Sequence, residues 1–380
     1  MLLSKGCEIE LYTGSPTGEI IGFSDRIVQH LAGFVREPDA RNVEYTTAPF
    51  RCYDQLLCAL LRPRRALRQY LKGLGDYTLI PGSTLSLGDS QTFHRSDPQN
   101  PYHTYIEQTY HTTVVTASVH INIGIADPEQ LMRAYRLIRV EAPLYLALSA
   151  ASPFLDSQAT GAHSTRWSIF PQTPAQVPLF ESHRHFVQWT EAQLALGTMQ
   201  NVRHLWLSVR PNGNRRPYDL NRLELRICDL VSDPIALLSI VAFLEARLWQ
   251  LLADASLDPL QHSQLTPTEL LDLTYANERK AAQQSLDAEL SHWRTGESIK
   301  AQTWVQQLYG EVWPIAKQHS FGCFLSPLQR ILNQGNESQR WLRQLDTTEV
   351  TPQQVLQGAI AVMQAQETEL HHKSCPDAAA

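Results

Sequence analysis

Four stretches of the chain are predicted to be β-strands, because polar residues and branched apolar residues alternate along them and would lie on opposite faces of a sheet. They are residues 6–12, 43–49, 114–124 and 221–229. In the last stretch, Arg222, Glu224 and Arg226 share one face, while Leu223 and Leu225 share the other. The sequence therefore predicts a sheet with one apolar face and one face that carries charged and hydrogen-bonding side chains.

Helices are predicted after two of these strands by the same local signal. Asp127-Pro128 and Asp233-Pro234 each place an N-cap aspartate before a proline, and proline is favoured at the first helical position. Another helix with a leucine stripe is expected from Tyr53 to Leu71. A sheet with helices packed on one face is the expected architecture.

The character of the chain changes after about residue 254. From Leu265 onward the sequence is rich in Gln, Leu and Ala, and capping boxes begin at Thr266 and Thr351. Residues 75–103 and 149–180, and the short Ser182–His185 segment, are predicted to be loops. We expect a catalytic core at 1–254, a helical C-terminal region at 255–370 and a disordered tail at 371–380.

The composition is that of an ordinary globular protein, with 380 residues, 43% hydrophobic residues and 18% charged residues. A net charge of -6 and the absence of a long basic run argue against nucleic acid as the main partner. The arginines at 62, 64, 65 and 68 are spaced as on a helix, and a solvated helix face is predicted for them.

Neither export nor membrane spanning is expected. Residues 1–6 contain no apolar signal region, and the longest apolar run, 235–244, is followed at once by Glu245. The six cysteines form no CxxC pair, so reduced thiols and a cytoplasmic location are expected.

Candidate metal ligands occupy the polar face of the predicted sheet: Glu8, Glu10, Glu44, His120 and Glu224. Any one of them alone is more often a solvated or structural residue. Several carboxylates on neighbouring strands repel one another, and divalent cations would neutralise them. Oxygen ligands with a single imidazole and no thiolate favour Mg²⁺, or Mn²⁺, over zinc or copper.

A set of arginines complements these acids: Arg166, Arg210, Arg222 and Arg226. A guanidinium group matches the geometry of carboxylates and phosphates, so the combination predicts a site for nucleotide phosphates and a carboxylate substrate. Arg222 is expected to be a surface residue. No phosphate-binding P-loop, GxGxxG or GxSxG motif occurs in the chain.

Six motifs occur in an order that resembles the glutamate–cysteine ligase and carboxylate–amine ligase family. They are Gly6-x-Glu8-x-Glu10, Glu44-x-x-Thr47-x-Pro49, His120-x-Asn122-x-Gly124, Ser152-Pro153 with Thr160-Gly161 and Ser164-x-Arg166, Arg210-Pro211, and Glu224-x-Arg226-x-x-Asp229. The resemblance spans residues 6–234. It implies an α+β fold with a largely antiparallel sheet, similar to glutamine synthetase.

The resemblance also implies an activity. ATP would phosphorylate the γ-carboxylate of L-glutamate, and the amine of L-cysteine would attack the acyl phosphate to give γ-glutamylcysteine, the first intermediate of glutathione synthesis. Mg²⁺ would be bound by the five candidate ligands above. Arg226 and Arg166 would act in catalysis, Arg210 and Arg226 would bind the nucleotide, and the substrate would be bound by Arg166, Thr47, Asn122 and Ser152.

One position departs from the pattern of many carboxylate–amine ligases, which carry H-x-H-x-G. Here Asn122 replaces the second histidine. This leaves the metal or substrate role of that position open and is consistent with a narrower subfamily. Two alternatives therefore remain. The chain could join a different carboxylate to a different amine, or it could be a non-catalytic binding protein that kept the fold.

Overall fold

A computed structural model describes residues 2–347 and 349–375 of the chain. The strands are β1 Lys5–Gly14, β2 Phe34–Arg36, β3 Asn42–Thr46, β4 Thr78–Ile80, β5 Val119–Gly124, β6 Phe154–Leu155, β7 Gln158–Ala159, β8 Val209–Asn212, β9 Arg222–Leu225, β10 Glu289–Ser291 and β11 Ser298–Lys300. The α-helices are α1 Ser24–His30, α2 Tyr53–Leu74, α3 Pro101–Tyr110, α4 Pro128–Ser149, α5 Thr165–Ile169, α6 His183–Ala195, α7 Pro234–Ala253, α8 Pro259–His262, α9 Pro267–Gln284, α10 Ala301–Gln318, α11 Gly322–Leu325, α12 Leu328–Gln334, α13 Glu337–Thr347 and α14 Pro352–Ser374.

The main sheet is antiparallel and open, with the strand order β2-β3-β1-β5-β9-β8, and β4 pairs with the far end of β1. All four strands expected from the alternating pattern are present. The third begins only at Val119, because residues 111–114 form a 3-10 turn instead of extending the strand. The predicted fold class, an α+β fold with a largely antiparallel sheet, is confirmed.

The apolar face of this sheet packs against α2 and α4, and α7 packs on these two helices. Ile9, Ile121, Leu223 and Leu225 on that face are fully buried, and removing such surface from water is the main driving force for folding. The opposite face carries the polar residues of the same strands. The predicted helix starts are also confirmed: the Asp127 and Asp233 side chains accept backbone N–H groups, and both capping boxes are formed.

Helix α7 is long and apolar enough to cross a membrane by length and composition, but 78% of its most apolar stretch is buried inside the fold. The expected boundary at 254/255 stays a prediction. One hydrophobic cluster contains residues from both sides of it, such as Leu248 and Trp304. The C-terminal region is mostly helical, as predicted, and also contains the β10–β11 hairpin.

Buried ion pairs connect α4 to later parts of the chain. Arg136 bonds to Asp258 at 2.8 Å, and Arg139 pairs with Glu278 on α9. Glu141 accepts two hydrogen bonds from Arg247 on α7, of 2.9 and 2.6 Å. Each guanidinium therefore has its own carboxylate, as buried charges require.

Several expectations about local structure are wrong. The first predicted loop, residues 75–103, contains β4 and the start of α3, and the second, residues 149–180, contains β6, β7 and α5. Residues 183–185 begin α6 instead of a loop, because the Ser182 hydroxyl caps this helix by accepting the His185 N–H. Residues 371–374 form the end of α14 instead of a disordered tail, while residues 376–380 lie outside the described part of the chain. Cys58 and Cys375 form a disulfide that links α2 to the end of α14, so these two thiols are not reduced.

The solvated arginine face expected on α2 is also only partly correct. Arg62 is exposed, but Arg64 and Arg68 are only 0% and 7% exposed. Arg64 donates to Glu367 at 3.2 Å and Arg68 donates to it at 2.8 Å. Spacing within α2 could not reveal this, because the partner lies on α14, about 300 residues further along the chain.

Substituting Glu367→Ala should leave both buried guanidinium groups without their carboxylate. We expect the free energy of unfolding, measured with urea, to fall by about 3–5 kcal/mol. The matched control is Arg62→Ala on the exposed side of α2, for which a change within about 0.5 kcal/mol is expected. Equal effects of the two substitutions would show that Glu367 is not a structural link between α2 and α14.

Candidate active site

Strand register brings most of the predicted site residues together on the polar face of the sheet. Glu10 on β1 lies opposite Glu44 on β3, and Glu8 lies opposite His120 on β5. Glu224 on β9 lies between Asn122 on β5 and Arg210 on β8. Because side chains alternate along each strand, all these groups point to the same side.

The first candidate metal group is Glu8, His120 and Glu224, whose ligand atoms lie within 4.8 Å of one another. Glu8 bonds to His120 Nδ1 at 3.0 Å and accepts from Asn122 Nδ2 at 3.1 Å. Burial favours the neutral form of Glu8, but the hydrogen bond and charge of His120 outweigh it and lower the pKa of this carboxyl. Glu8 is therefore a charged ligand candidate.

Glu224 already has strong partners within the protein. Arg210 Nε, Arg226 Nη1 and Asn212 Nδ2 all donate to its carboxylate at 2.6 Å. Although Glu224 is fully buried, the two guanidinium groups lower its pKa well below the usual range. Glu224 therefore connects the candidate metal group to the arginines, and it does not depend on a cation for its neutralisation.

The second candidate metal group is Glu10, Glu37 and Glu44, whose carboxylate oxygens also lie within 4.8 Å of one another. Within the described residues, no ion pair involves Glu37 or Glu44. Burial, followed by repulsion from Glu8 and Glu10, raises the pKa of Glu44 to about 8. Burial and the charge of Glu44 raise the pKa of Glu37 well above its usual range. Three carboxylates with so little cationic compensation fit the oxygen-rich coordination of Mg²⁺ or Mn²⁺.

Glu37 was missed by sequence reasoning. It follows the three-residue strand β2 and precedes Pro38, so no alternating pattern marks it. Its position follows from strand pairing. Val35 on β2 lies opposite Glu44 on β3, and Glu37, two residues after Val35, is on the same side of the chain. Only the β2–β3 pairing shows that Glu37 approaches the predicted metal ligands.

Arg166 and Ser152 belong to a buried network at the end of β9. The Asp229 carboxylate accepts from the hydroxyl of Ser152 at 2.7 Å and from that of Ser164 at 2.8 Å. The Arg166 guanidinium donates to the backbone carbonyls of Arg226 and Ile227, at 3.1 Å each. The structure therefore places both predicted residues in a framework beside Arg226, and their roles in catalysis or binding stay predictions.

Thr47 and Asn122 are also engaged in hydrogen bonds. The Thr47 hydroxyl accepts the Cys7 backbone N–H at 2.9 Å, just beyond the end of β3. Asn122 donates to Glu8, and its oxygen accepts from Arg222 Nε at 3.2 Å. Arg222, which the sequence analysis assigned to the surface, is thus half-buried and connected to the charged face through Asn122.

A cleft of about 800 Å³ lies between α5, residues 170–176 and α9. Its lining includes Trp167, Phe170, Tyr275 and Arg279. The Arg166 guanidinium lies 5.7 Å from the ring centres of both Trp167 and Phe170. A cleft of this size can hold a small organic ligand, and it borders the residues that support Arg226.

Comparison with known proteins adds independent information. Residues 4–367 match the model of "Glutamate-cysteine ligase family 2". A provisionally named glutamate–cysteine ligase 2 from Sorangium cellulosum is 30% identical over 59% of this chain and 58% of its own length. A similarly named protein from Frankia alni is 33% identical over 45% of the chain and 43% of its own length. The chain thus spans about half the length of these relatives, although a match to a Rubrobacter xylanophilus protein, at 28% identity, covers 74% of that protein.

Two solved structures have a similar fold. A bifunctional glutathione synthetase from Pasteurella multocida aligns with a TM-score of 0.74 and 14% identity, over 97% of this chain and 53% of that one. A glutamate–cysteine ligase from Francisella tularensis, solved in complex with AMP, aligns with a TM-score of 0.68 and 11% identity, over 100% and 96% of the two chains. At these identities the likeness establishes the fold alone. Because the family model covers nearly the whole chain, the protein belongs to glutamate–cysteine ligase family 2.

Proposed function

We propose that the protein is an ATP-dependent ligase that joins the γ-carboxylate of L-glutamate to the amine of L-cysteine. The products would be γ-glutamylcysteine, ADP and phosphate, and the reaction would be the first step of cytoplasmic glutathione synthesis. Family membership supports the reaction class. The observation that carries the proposal is the sheet face itself, where two groups of metal-ligand candidates lie beside Arg210 and Arg226.

This arrangement suits phosphoryl transfer, which depends on positioning and charge neutralisation more than on a protein nucleophile. One divalent cation would be held by Glu10, Glu37 and Glu44, and another by the group of Glu8, His120 and Glu224. Such cations supply charge neutralisation at phosphate and carboxylate oxygens. Without cations, the acidic face would repel the negatively charged ATP and L-glutamate. The proposal therefore requires the two cation sites.

The arginines supply the remaining positive charge. Arg226 uses Nη1 for Glu224 and His120, and within the described residues its other guanidinium nitrogens make no hydrogen bond. Arg210 is held by Glu224 and by the carbonyl of Arg203, at 3.1 Å. Both groups are therefore fixed in position, and Arg226 retains donors for a phosphate or carboxylate oxygen. Arg166 would hold the backbone of Arg226 in place.

A second candidate function uses the same ATP chemistry with a different carboxylate and amine. It is favoured by Asn122, whose amide joins Glu8 to Arg222 where many carboxylate–amine ligases carry a histidine. This difference changes the polar face next to Glu8 without removing any candidate metal ligand. The activation chemistry would be kept, and the choice of substrate would differ.

ADP release should depend on L-glutamate and L-cysteine together, in the presence of ATP and Mg²⁺. The control reactions replace L-cysteine with 2-aminobutyrate or other amino acids, and L-glutamate with other carboxylates. Turnover only with another pair would support the second candidate. Absence of turnover with every pair would support the non-catalytic alternative.

Glu44→Gln should reduce turnover at least about 100-fold, because it removes one candidate metal ligand from the cluster of Glu10, Glu37 and Glu44, which has no arginine partner. Glu44 is chosen over Glu224, whose replacement would also leave Arg210 and Arg226 unpaired. The thermal midpoint of the metal-free variant should equal or exceed that of the wild type, because one repelling carboxylate is removed. Adding Mn²⁺ should raise the thermal midpoint of Glu44→Gln less than it raises that of the wild type.

Glu19→Gln is the matched control, since Glu19 is exposed, follows the C-terminal end of β1 and belongs to neither candidate metal group. It should change neither turnover nor the response to Mn²⁺. Near wild-type turnover of Glu44→Gln would refute the assignment of Glu44 as a metal ligand.

The pH dependence of stability should reflect the raised pKa of Glu44, about 8 without metal. Between its ordinary value of about 4.3 and about 8, the folded protein retains a proton that the unfolded chain has lost. The free energy of unfolding contributed by this group therefore falls as the pH rises through that window. Thermal midpoints of metal-free protein should fall from about pH 5 to 8, and Mg²⁺ should restore more stability at pH 8 than at pH 5. Glu44→Gln should flatten this dependence, and an unchanged slope in the variant would contradict the assignment.

A further inference from the structure

The loop that connects β8 to β9, residues 213–221, is held close to the end of the charged face. Its ends are joined by the Asn221 N–H, which donates to the Asn212 carbonyl at 3.0 Å. Gly213 packs against the backbone of Asp219 so closely that a Cβ atom would lie 1.9 Å from the Asp219 carbonyl oxygen. Only glycine fits there, so the path of the loop is fixed by the backbone.

Helix α6 braces the same loop from outside the sheet. The Pro217 carbonyl bonds to His183 Nε2 at 2.9 Å, and the Tyr218 hydroxyl donates to Glu191 at 2.9 Å. These two contacts immediately follow Arg216 in the chain. They give the histidine at the start of α6 a structural role and limit the freedom of the loop beside Arg216.

Arg216 is half-buried, and most of the charges that act on it are positive. Its charge interacts with those of Arg210, Arg226 and Arg222, and with the single carboxylate of Glu224. Glu224 is already bonded to Arg210 and Arg226 at 2.6 Å. Burial, followed by repulsion from Arg210, lowers the pKa of the Arg216 guanidinium.

Arg216 also lacks the partner that a structural arginine has. Its Nη1 atom is buried without a hydrogen-bond partner, and no ion pair in the described part of the chain includes Arg216. The buried arginines of the helical layer differ in having a carboxylate partner, since Arg136, Arg139 and Arg247 each pair with one. A guanidinium that is held in place without a carboxylate destabilises the folded protein unless a ligand compensates it.

We propose that Arg216 is a ligand-binding residue that, with Arg210 and Arg226, forms an anion clamp for a phosphate or carboxylate group of the substrates. Arg210 lies on β8, Arg226 directly follows β9, and Arg216 lies on the loop between these strands. The identity of the anion rests on the proposed ligase function, and the binding of an oxyanion does not. Three guanidinium groups that bind one oxyanion would give the multidentate contact for which arginine is suited.

The test compares Arg216→Gln with Arg215→Gln. Arg215 is the adjacent loop residue, is exposed, and contributes its backbone to the loop hydrogen bonds, which the substitution leaves intact. The two variants therefore remove the same charge from neighbouring positions. Binding of Mg²⁺–ATP, L-glutamate and tripolyphosphate is measured by calorimetry, and the thermal midpoint is measured without ligand.

Arg216→Gln should weaken the binding of at least one probe by about 10-fold or more, while Arg215→Gln changes each affinity by less than about twofold. Without ligand, Arg216→Gln should have a thermal midpoint equal to or above that of the wild type. Arg216→Lys, which keeps the charge and loses the planar fork, should be intermediate. Weaker binding of ATP and tripolyphosphate identifies a phosphate site, and weaker binding of L-glutamate alone identifies a carboxylate site.

Three results would overturn the proposal: unchanged affinities in Arg216→Gln, an equal loss in Arg215→Gln, or no binding of any probe to the wild type. A lower midpoint with unchanged affinities would show a structural arginine. Failure of the ligase function is recognised separately, because it appears as absence of turnover with every substrate pair. Tripolyphosphate binding tests Arg216 even in that case.

Discussion

Repulsion among carboxylates on one face of the sheet is the constraint on which this site depends. Glu8, Glu10, Glu37, Glu44 and Glu224 all lie in two small groups on that face. The protein compensates part of this charge itself, through His120 beside Glu8 and two arginines at Glu224. In the group of Glu10, Glu37 and Glu44, only Glu10 approaches a cationic side chain, with His120 Nε2 at 3.8 Å, and the raised pKa values of Glu37 and Glu44 express the cost of the remaining charge.

Apolar packing and matched ion pairs in the rest of the fold offset this unfavourable repulsion. Fully buried side chains of β1, β5 and β9 form the opposite face of the sheet, which packs against α2 and α4, and α7 packs on these two helices. In that helical layer the buried charges are matched, as in the pair of Glu141 with Arg247. The molecule therefore separates two uses of charge. Matched pairs fix helices to one another, whereas Glu37 and Glu44 have no ion pair among residues 2–347 and 349–375 and lie on the face where ligands would provide the missing charge.

The sequence could predict which face of each strand carries the chemistry, because parity along a strand depends only on local alternation. It placed Glu8, Glu10, Glu44, His120 and Glu224 on one face, and the register brings them together. Glu37 and Arg216 could not be found in this way, since one follows a three-residue strand and the other lies in a loop. Arg64 was misread for a different reason: its carboxylate partner is distant in sequence, and only tertiary packing reveals it.

The residues of the motif at β9 have different physical roles. In Glu224-x-Arg226-x-x-Asp229, the first two residues lie in the charged face and bond to each other. Asp229 lies underneath, fully buried, and burial raises its pKa despite the nearby charge of Arg166. It binds the hydroxyls of Ser152 and Ser164, so the start of α5, which contains Arg166, is joined to the segment that follows β9 and contains Arg226. Ser152 is thus linked to the site through Asp229 and through the Arg166 N–H, which donates to its hydroxyl at 3.2 Å.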